Sequence, residues 1–491
     1  MPELTVLRGG LQRKLYFEGE VLLGDILTAN GFDIARPCGG RGSCGKCAVI
    51  LEGQVSPPNE AEKCAGTRLA CQAKLLGDAK VILPEAHDLE QIELSGVEIS
   101  KGTPMAGRLG AAVDIGTTTI ALRLYDLQSG TCIGESGMGN PQVSVAADVM
   151  GRIGAALEGR LTEMQTQVLL AIRALLQTAC YRAERPFKDV DVLVVTGNTT
   201  MLYLLTGRNP EALSHAPIEA DCLFDECIEL LEKTAYLPPC MNAFVGADIT
   251  CAVLAADKYG GGTSLLVDVG TNGELALWKD GVLYVSSTAA GPAFEGAGIS
   301  CGCGSVAGAI DKVWLEDGSI AAHTIGEGKA VGLCGSGLID SIACFLENGM
   351  VDETGATDED TLPLQDGIVL MPRDIRAVQL AKAAIAAGIE TLMETANVTA
   401  DEVETLYIAG GFGSHLNVQS AARIGLIPAE LTGKVRILGN AALAGASMLL
   451  MDQNRLDEIR AIKESSKHVN LGGNPVFNEH YMDQMFFPEE D

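Results

Sequence analysis

Ala111-Ala112-Val113-Asp114-Ile115-Gly116-Thr117-Thr118-Thr119-Ile120 reads as an apolar strand, an acid, a glycine turn carrying hydroxyls, and a strand resuming at Ile120. The same design returns at Ser264-Leu265-Leu266-Val267-Asp268-Val269-Gly270-Thr271-Asn272-Gly273-Glu274, with strand pattern on both sides. In each copy the Gly and Thr residues can present amides and hydroxyls to phosphate oxygens, while the Asp at the strand end can hold magnesium through water. One such hairpin also closes ordinary turns. Two copies in one chain are much harder to dismiss.

A third element, Glu404-Thr405-Leu406-Tyr407-Ile408-Ala409-Gly410-Gly411-Phe412-Gly413-Ser414-His415, is a strand running into a glycine-rich turn before a helix. Gly410, Gly411 and Gly413 can admit an adenine and ribose against bare backbone, or simply make a tight turn. Further on, Leu438-Gly439-Asn440-Ala441-Ala442-Leu443-Ala444-Gly445-Ala446 makes a small-residue helix suited to close interdomain packing. This ordered set resembles the sugar kinase, actin and heat-shock chaperone ATPase superfamily. The resemblance implies an α/β, two-lobed, actin-like (ribonuclease H-like) module closing over Mg-ATP. The expected first lobe is 109–245 and the second 246–450, with the boundary near 242–248. On the same resemblance Asp114 and Asp268 position Mg-ATP. Gly116, Thr117, Thr118, Gly270, Thr271 and Asn272 lie near its phosphates, and Gly410, Gly411 and Gly413 border the nucleoside.

Ahead of this module stands Pro37-Cys38-Gly39-Gly40-Arg41-Gly42-Ser43-Cys44-Gly45-Lys46-Cys47, and later Arg68-Leu69-Ala70-Cys71-Gln72. Four thiolates suit iron-sulfur ligation, and one tight loop giving three ligands with a distant fourth is the plant-ferredoxin arrangement for a [2Fe-2S] cluster. Glycines let the loop wrap an inorganic core. Structural zinc is the alternative, and Cys64 is the rival for the fourth position. A P-loop reading of 40–46 fails because Cys47 stands where Ser or Thr should ligate magnesium. Residues 4–8 and 14–17 read as a hairpin about Gly9-Gly10, 21–30 as a short helix, and 48–51 and 80–83 as strands. The region looks like the plant-type [2Fe-2S] ferredoxin family, which implies a β-grasp domain over 1–84, followed by a linker over 85–108.

Composition bounds the rest. A chain of 491 residues has room for about three domains, and 47% apolar with 4% aromatic residues makes its cores aliphatic. No stretch of eighteen uncharged apolar residues and no signal-peptide pattern is present, so the expectation is a soluble, cytoplasmic protein without a membrane partner. Fifteen cysteines then signify reduced thiols and cofactor ligation rather than a disulfide framework. A net charge of −29 without clustered Lys and Arg argues against nucleic acid. Residues 1–85 carry ten basic and ten acidic side chains, so the negative charge belongs to the remainder, and the electron domain should dock by local contacts.

The combination goes beyond a generic ATPase. With Gly139-Asn140-Pro141-Gln142, Gly197-Asn198-Thr199-Thr200-Met201, Ala290-Gly291-Pro292-Ala293-Phe294-Glu295-Gly296 and Gly332-Leu333-Cys334-Gly335-Ser336-Gly337 in fixed order, the chain resembles the reductive activators of corrinoid-dependent methyltransferase systems. That resemblance implies one-electron repair: an external low-potential donor reduces the cluster held by Cys38, Cys44, Cys47 and Cys71, and ATP-dependent transfer returns an inactive Co(II) corrinoid to Co(I). The Asp-x-His-x-x-Gly signature of corrinoid-binding modules is absent, so the cobalt belongs to a partner protein. The linker of about two dozen residues is short for this family, in which a longer spacer and an additional middle domain are expected. Two other readings stay open: an ATP-dependent electron donor to another low-potential metalloenzyme, and a nucleotide-binding redox sensor.

Candidates for the catalytic carboxylate are Asp148, Glu274 and Glu295. Asp148 could polarise the attacking water or ion-pair with Arg152 four residues on; Glu274 could reach a metal shell or serve as a structural hydrogen-bond acceptor. Cys301 and Cys303 could bridge a second cluster across a dimer, although burial in a turn is the commoner fate of cysteine. His415 reads as a helix-start or ribose-edge residue. The tail, 451–491, begins with a charged helix and could cover a lobe, sit at the subunit interface of a homodimer, or be exposed and disordered.

Overall fold

The computed structural model describes residues 2–8, 11–30, 32, 47–65, 67–83, 97, 99–216, 218–256, 261–411 and 416–489. At the N-terminus Glu3–Arg8 pairs antiparallel with Leu11–Tyr16 and parallel with Lys74–Ile82. Lys74–Ile82 in turn pairs antiparallel with Ala48–Val55. Strand Lys74–Ile82 alternates exposed and buried along its length, the period-2 pattern of a sheet with one solvated face. Its inner face meets Leu23 and Leu27 of helix Leu23–Ala29 in a core with Leu4, Val6, Leu69 and Val81. A mixed sheet crossed by one helix is the β-grasp arrangement expected for this segment.

The remainder is built from one strand plan used twice. Leu109–Ile115, Thr119–Asp126 and Thr131–Gly139 form an antiparallel meander, with Val190–Gly197 parallel beside the first strand and Lys233–Leu237 parallel beside that. Ser264–Val269, Gly273–Lys279 and Val282–Thr288 repeat the meander, with Thr405–Ala409 and Val435–Gly439 parallel in the corresponding places. The central strands are covered on both faces and read as continuous apolar runs. Asp114 and Asp268 interrupt those runs near their ends. The plan therefore carries Gly116, Asn198, Gly270 and Gly410 at the carboxyl ends of parallel strands, where open α/β sheets bind their ligands.

Two largely buried helices join the sheets. Ala247–Ala255 follows the first sheet, Ala441–Met451 follows the second, and they pack on each other and between the sheets. Their approach is backbone to backbone: a Cβ on Gly445 would fall 2.0 Å from the Cys251 carbonyl oxygen. The carbonyls at the end of Ala441–Met451 are capped by the segment that follows the N-terminal domain. Gly102 N–H donates to Met451 O at 3.1 Å and Met105 N–H to Leu450 O at 3.0 Å, meeting the orphan acceptors of a helix C-terminus.

The tail is folded onto the second sheet. Helix Arg455–Ser465 leads into Ser466–His468, which extends the sheet beside Val282–Thr288. Helix Pro475–Asp483 lies on helix Pro372–Ala396. Phe487 is buried, and the buried ammonium of Lys382 donates to Phe486 O. Among the described residues no helix is long and apolar enough to cross a membrane.

A side chain at the helix crossing should be costly. Gly445→Ala is expected to destabilise the protein by about 1–3 kcal/mol, because the two helices must separate. The control is the exposed Gly154 of helix Val149–Ala155, where an added Cβ would meet nothing within 4 Å. Gly154→Ala should be neutral or stabilising by up to about 1 kcal/mol. Thermal unfolding of the two variants checks both.

Candidate functional site

The two hairpins face one another. Thr118 Oγ1 and Thr271 Oγ1 lie 3.4 Å apart, and both hydroxyls donate to the Glu295 carboxylate, at 2.8 Å from Thr118 and 3.0 Å from Thr271. Glu295 thus spans the tips of both turns. It arrives on the short Pro292–Glu295 helical turn, whose flanking Gly291 and Gly296 have φ of +79° and +75°, values that glycine adopts without strain.

Behind the tips lies a concentration of acids. Asp114 and Asp268, at their strand ends, are joined by Asp248 from the first turn of helix Ala247–Ala255 and by Glu274, 8% exposed, from the strand after the second hairpin. Asp114, Asp248, Asp268 and Glu295 are half-buried, open to the cleft yet surrounded by protein. Burial, opposed by the Asn440 amide, pushes the Asp114 carboxyl up to about 6. Burial and the neighbouring Asp114 and Glu295 charges push Asp268 up to about 7. Burial with Asp114 and Asp268 raises Asp248 to about 8, and burial with Asp248 and Asp268 holds Glu274 well above the carboxylate range. Like charges in a low-dielectric cleft resist simultaneous ionisation. A divalent cation removes that conflict.

The donor set fits a hydrated Mg2+. Among the described residues no three acidic, histidine or cysteine side chains converge as direct ligands, and Mg2+ commonly keeps several waters while touching few protein oxygens. Asp114, Asp248 and Asp268 could hold it through water beside phosphate oxygens. Asn272 closes the second turn, its carbonyl oxygen accepting from Gly270 N–H at 3.1 Å.

Two participants escaped the sequence reading. Asp248 is delivered by a helix whose preceding Gly246 packs so tightly on Asn198 that a Cβ would sit 2.4 Å from the Asn198 Cα. Asn440, the cap of helix Ala441–Met451, accepts from Leu443 N–H at 2.7 Å and donates to Asp114 Oδ2 at 3.0 Å. Asn198 adds a third contact, its Nδ2 donating to Thr117 Oγ1 at 3.2 Å. In the sequence, Gly246-Ala247-Asp248 and Gly439-Asn440 mark the helix starts.

The glycine-rich turn is partly in view. Gly410 has φ +102°, and a Cβ there would lie 2.5 Å from Val269 O and 2.8 Å from Asp268 Oδ1. Glycine is required because this turn abuts the second phosphate strand. Gly411 has open space at its Cβ position; Gly413 and His415 lie outside the described residues. Asp148 is not brought to the acids by any contact of its own. It is exposed and caps helix Val149–Ala155, accepting Gly151 N–H at 2.8 Å. The alternative ion pair with Arg152 does not form, since Arg152 turns inward to backbone carbonyls.

Of the cysteine quartet, Cys38 and Cys44 lie outside the described residues. Cys47 and Cys71 are each 4% exposed, and Ala70 N–H donates to Cys47 O at 2.9 Å, bringing their two segments side by side. Gln72 Nε2 lies 3.6 Å from Cys71 Sγ as a donor, the kind of amide contact that stabilises thiolate. Cys64 falls on helix Glu60–Ala65. Cys301 and Cys303 are half-buried in a loop paired with Leu333, through Leu333 N–H to Cys301 O at 2.9 Å and Cys303 N–H to Leu333 O at 3.0 Å. No third ligand joins them among the described residues.

Known families and proteins match this organisation along nearly the whole chain. Residues 10–76 match the 2Fe-2S iron-sulfur cluster binding domain, 109–259 the RACo middle region, and 262–491 the C-terminal ASKHA domain of RACo. The middle region expected as an additional domain therefore coincides with the stretch carrying the first hairpin. The corrinoid activation enzyme RamQ of Eubacterium limosum is 34% identical over 420 residues, 77% of this chain and 70% of its own. The Co(II) methylated amine-specific corrinoid protein reductase of Methanosarcina barkeri is 26% identical over 421 residues, 77% of each chain. A solved structure of a reductive activator for corrinoid, iron-sulfur protein superimposes with a TM-score of 0.72 at 26% identity, covering 100% of this chain and 99% of that one. With an iron-sulfur domain, a middle region and an ASKHA domain in that order, and a relative this similar over most of both lengths, the chain belongs to the family of reductive activators of corrinoid proteins.

Proposed function

We propose that this protein transfers one electron from a [2Fe-2S] cluster to the inactive Co(II) corrinoid of a partner protein in a methyltransferase system, restoring Co(I), and hydrolyses Mg-ATP in doing so. The observation that carries the reading is the joining, in one chain, of an iron-sulfur domain with buried Cys47 and Cys71 to a cleft where two phosphate hairpins meet over clustered acids. The similarity to a corrinoid activation enzyme and a Co(II) corrinoid protein reductase supports the acceptor.

In this reading Cys38, Cys44, Cys47 and Cys71 hold the cluster, which supplies a one-electron carrier when bound. An external low-potential donor refills it. The lobes 109–245 and 246–450 bind the nucleotide between them: Asp114, Asp248 and Asp268 hold hydrated Mg2+, the turns at Gly116-Thr117-Thr118 and Gly270-Thr271-Asn272 receive phosphates, and Gly410, Gly411 and Gly413 border the nucleoside. Glu295, the acceptor from both threonines, orients the attacking water. Glu274 tunes the metal shell, and Asp148, occupied as a helix cap, is the weaker choice for catalysis. Hydrolysis of ATP to ADP and phosphate adds no electron. It acts by altering the complex in which donor and acceptor meet. The protein would work in the reducing cytoplasm, where cysteines stay available as cluster ligands.

Anaerobic mixing of the reduced protein with a Co(II) corrinoid protein should produce the Co(I) absorption only when Mg-ATP is present. Cys71→Ser should abolish that signal while leaving ATP binding intact, and Asp268→Ala should keep a reducible cluster but lose ATP binding. Appearance of Co(I) without nucleotide would sink the ATP requirement. A pH dependence follows for the ion-free protein. Because Asp268 rises from 3.8 to about 7 on folding, the folded state binds more protons than the unfolded chain between those values, and stability falls as pH rises through that window. Asp268→Asn should therefore raise the melting temperature at pH 8 in chelator, by an amount equivalent to about 1 kcal/mol after allowance for solvent screening, with no gain below pH 4.

A further inference from the structure

The first phosphate hairpin is gripped from behind at three successive carbonyls. Gly116 O accepts from Asn140 Nδ2 at 2.8 Å, Thr117 O from Arg152 Nη2 at 2.6 Å, and Thr118 O from Asn140 N–H at 2.7 Å. A trans peptide is planar, so pinning each carbonyl on one side directs the following N–H to the other. The grip thereby sets the direction in which the turn presents its donors.

Arg152 brings more than a hydrogen bond. It is 0% exposed, and its other donors reach Gln142 Oε1 at 3.2 Å, Ala146 O at 3.1 Å and Met201 Sδ at 3.1 Å. All its acceptors are neutral. Among the described residues no carboxylate lies within ion-pair distance, and Asp148, the neighbouring acid, is engaged at its own helix start. Burial, opposed by the charge of Asp148, lowers the guanidinium to about 10, so it stays charged at neutral pH. Asp148 offsets part of this charge from a distance, but a buried charge with no ion-paired partner is expensive, by several kcal/mol, and folds seldom keep one unless something further balances it. What lies on the far side of the turn is the place where phosphates would bind.

We propose that Arg152 is a fixed cation whose counter-charge is the bound polyphosphate, making it a positioning and specificity-determining residue that favours nucleotides in proportion to their phosphate charge. The proposal rests on the reading of the hairpin as a phosphate site. It differs from a purely structural role in one respect: cancelling the charge while the carbonyl clamp stays in place still weakens ATP binding more than adenosine binding, whereas a clamp alone is indifferent to that change. Lysine cannot replace both functions, because an ammonium lacks the planar fork that reaches several acceptors in different directions.

The test is calorimetric titration of the full-length, cluster-containing protein with adenosine, AMP, ADP and ATP in the presence of Mg2+. In Arg152→Met the affinity for ATP should fall by roughly 10- to 100-fold, that for ADP by less, and that for adenosine hardly at all. Gln142→Glu provides a route that leaves the guanidinium in place, since it sets a protein carboxylate against Arg152 and should reproduce the graded loss even if Arg152→Met does not fold. ATP affinity left unchanged in Gln142→Glu would reduce Arg152 to a clamp, and an equal loss for adenosine and ATP in either variant would likewise overturn the proposal. Wild-type protein that binds adenosine no more weakly than ATP would overturn the phosphate-site reading itself, and the two failures are distinguishable by which protein displays them.

Discussion

The contact between Gly445 and the Cys251 carbonyl governs more of this molecule than any single catalytic group. Because Gly445 carries no side chain at that crossing, Ala247–Ala255 and Ala441–Met451 approach to backbone distance between the two sheets. Their N-terminal ends consequently reach the same cleft, one contributing Asp248 and the other Asn440, which hydrogen-bonds Asp114. The duplicated strand plan supplies two hairpins, but it is the helix pair that fixes the distance between them. Close packing of this kind transmits small displacements instead of absorbing them.

The acid cluster carries a cost of the kind functional sites retain. Asp114 raises the proton affinity of Asp248 and Asp268, and these two raise that of Glu274, so the ion-free cleft is electrostatically frustrated at neutral pH. Binding of Mg2+ with phosphates relieves the frustration by bringing positive charge among the carboxylates and new donors opposite them. The protein gains stability from its ligand by mass action, and the cleft is held in readiness by cores that do not share its polarity.

Much of this was legible in the sequence because the relevant chemistry is contiguous. The Asp-x-Gly-Thr turns each lie within a few residues, and Cys44 and Cys47 are three apart, so spacing alone suggests their roles. Asp248 and Asn440 were not legible, since each enters the site from a distant helix start that reads equally well as small-residue packing. Arg152 was misread for a different reason. The i, i+4 rule assumes an exposed helix surface, and here the short helix after Asp148 buries that face, exchanging a carboxylate partner for carbonyls of the hairpin. The tail looked ambiguous because its charges dominate its composition, while its attachment depends on Phe487 and on Lys382, a lysine buried in a helix of the second lobe.

The segment at 99–105 has a bearing on how the two ends of the chain cooperate. Val97, Ile99 and Met105 pack against the helix core, and Gly102 and Met105 cap the helix that begins at Asn440. The iron-sulfur domain ends its last strand at Ile82 and is followed in the core by Leu83. Fourteen residue steps from Leu83 to Val97 span at most about 50 Å, so the end of the domain stays within that distance of one fixed point. Confinement of this order corresponds to an effective concentration in the millimolar range. Once an acceptor is seated on the body of the protein, arrival of the electron domain is a first-order event whose rate is independent of how much protein the cell contains.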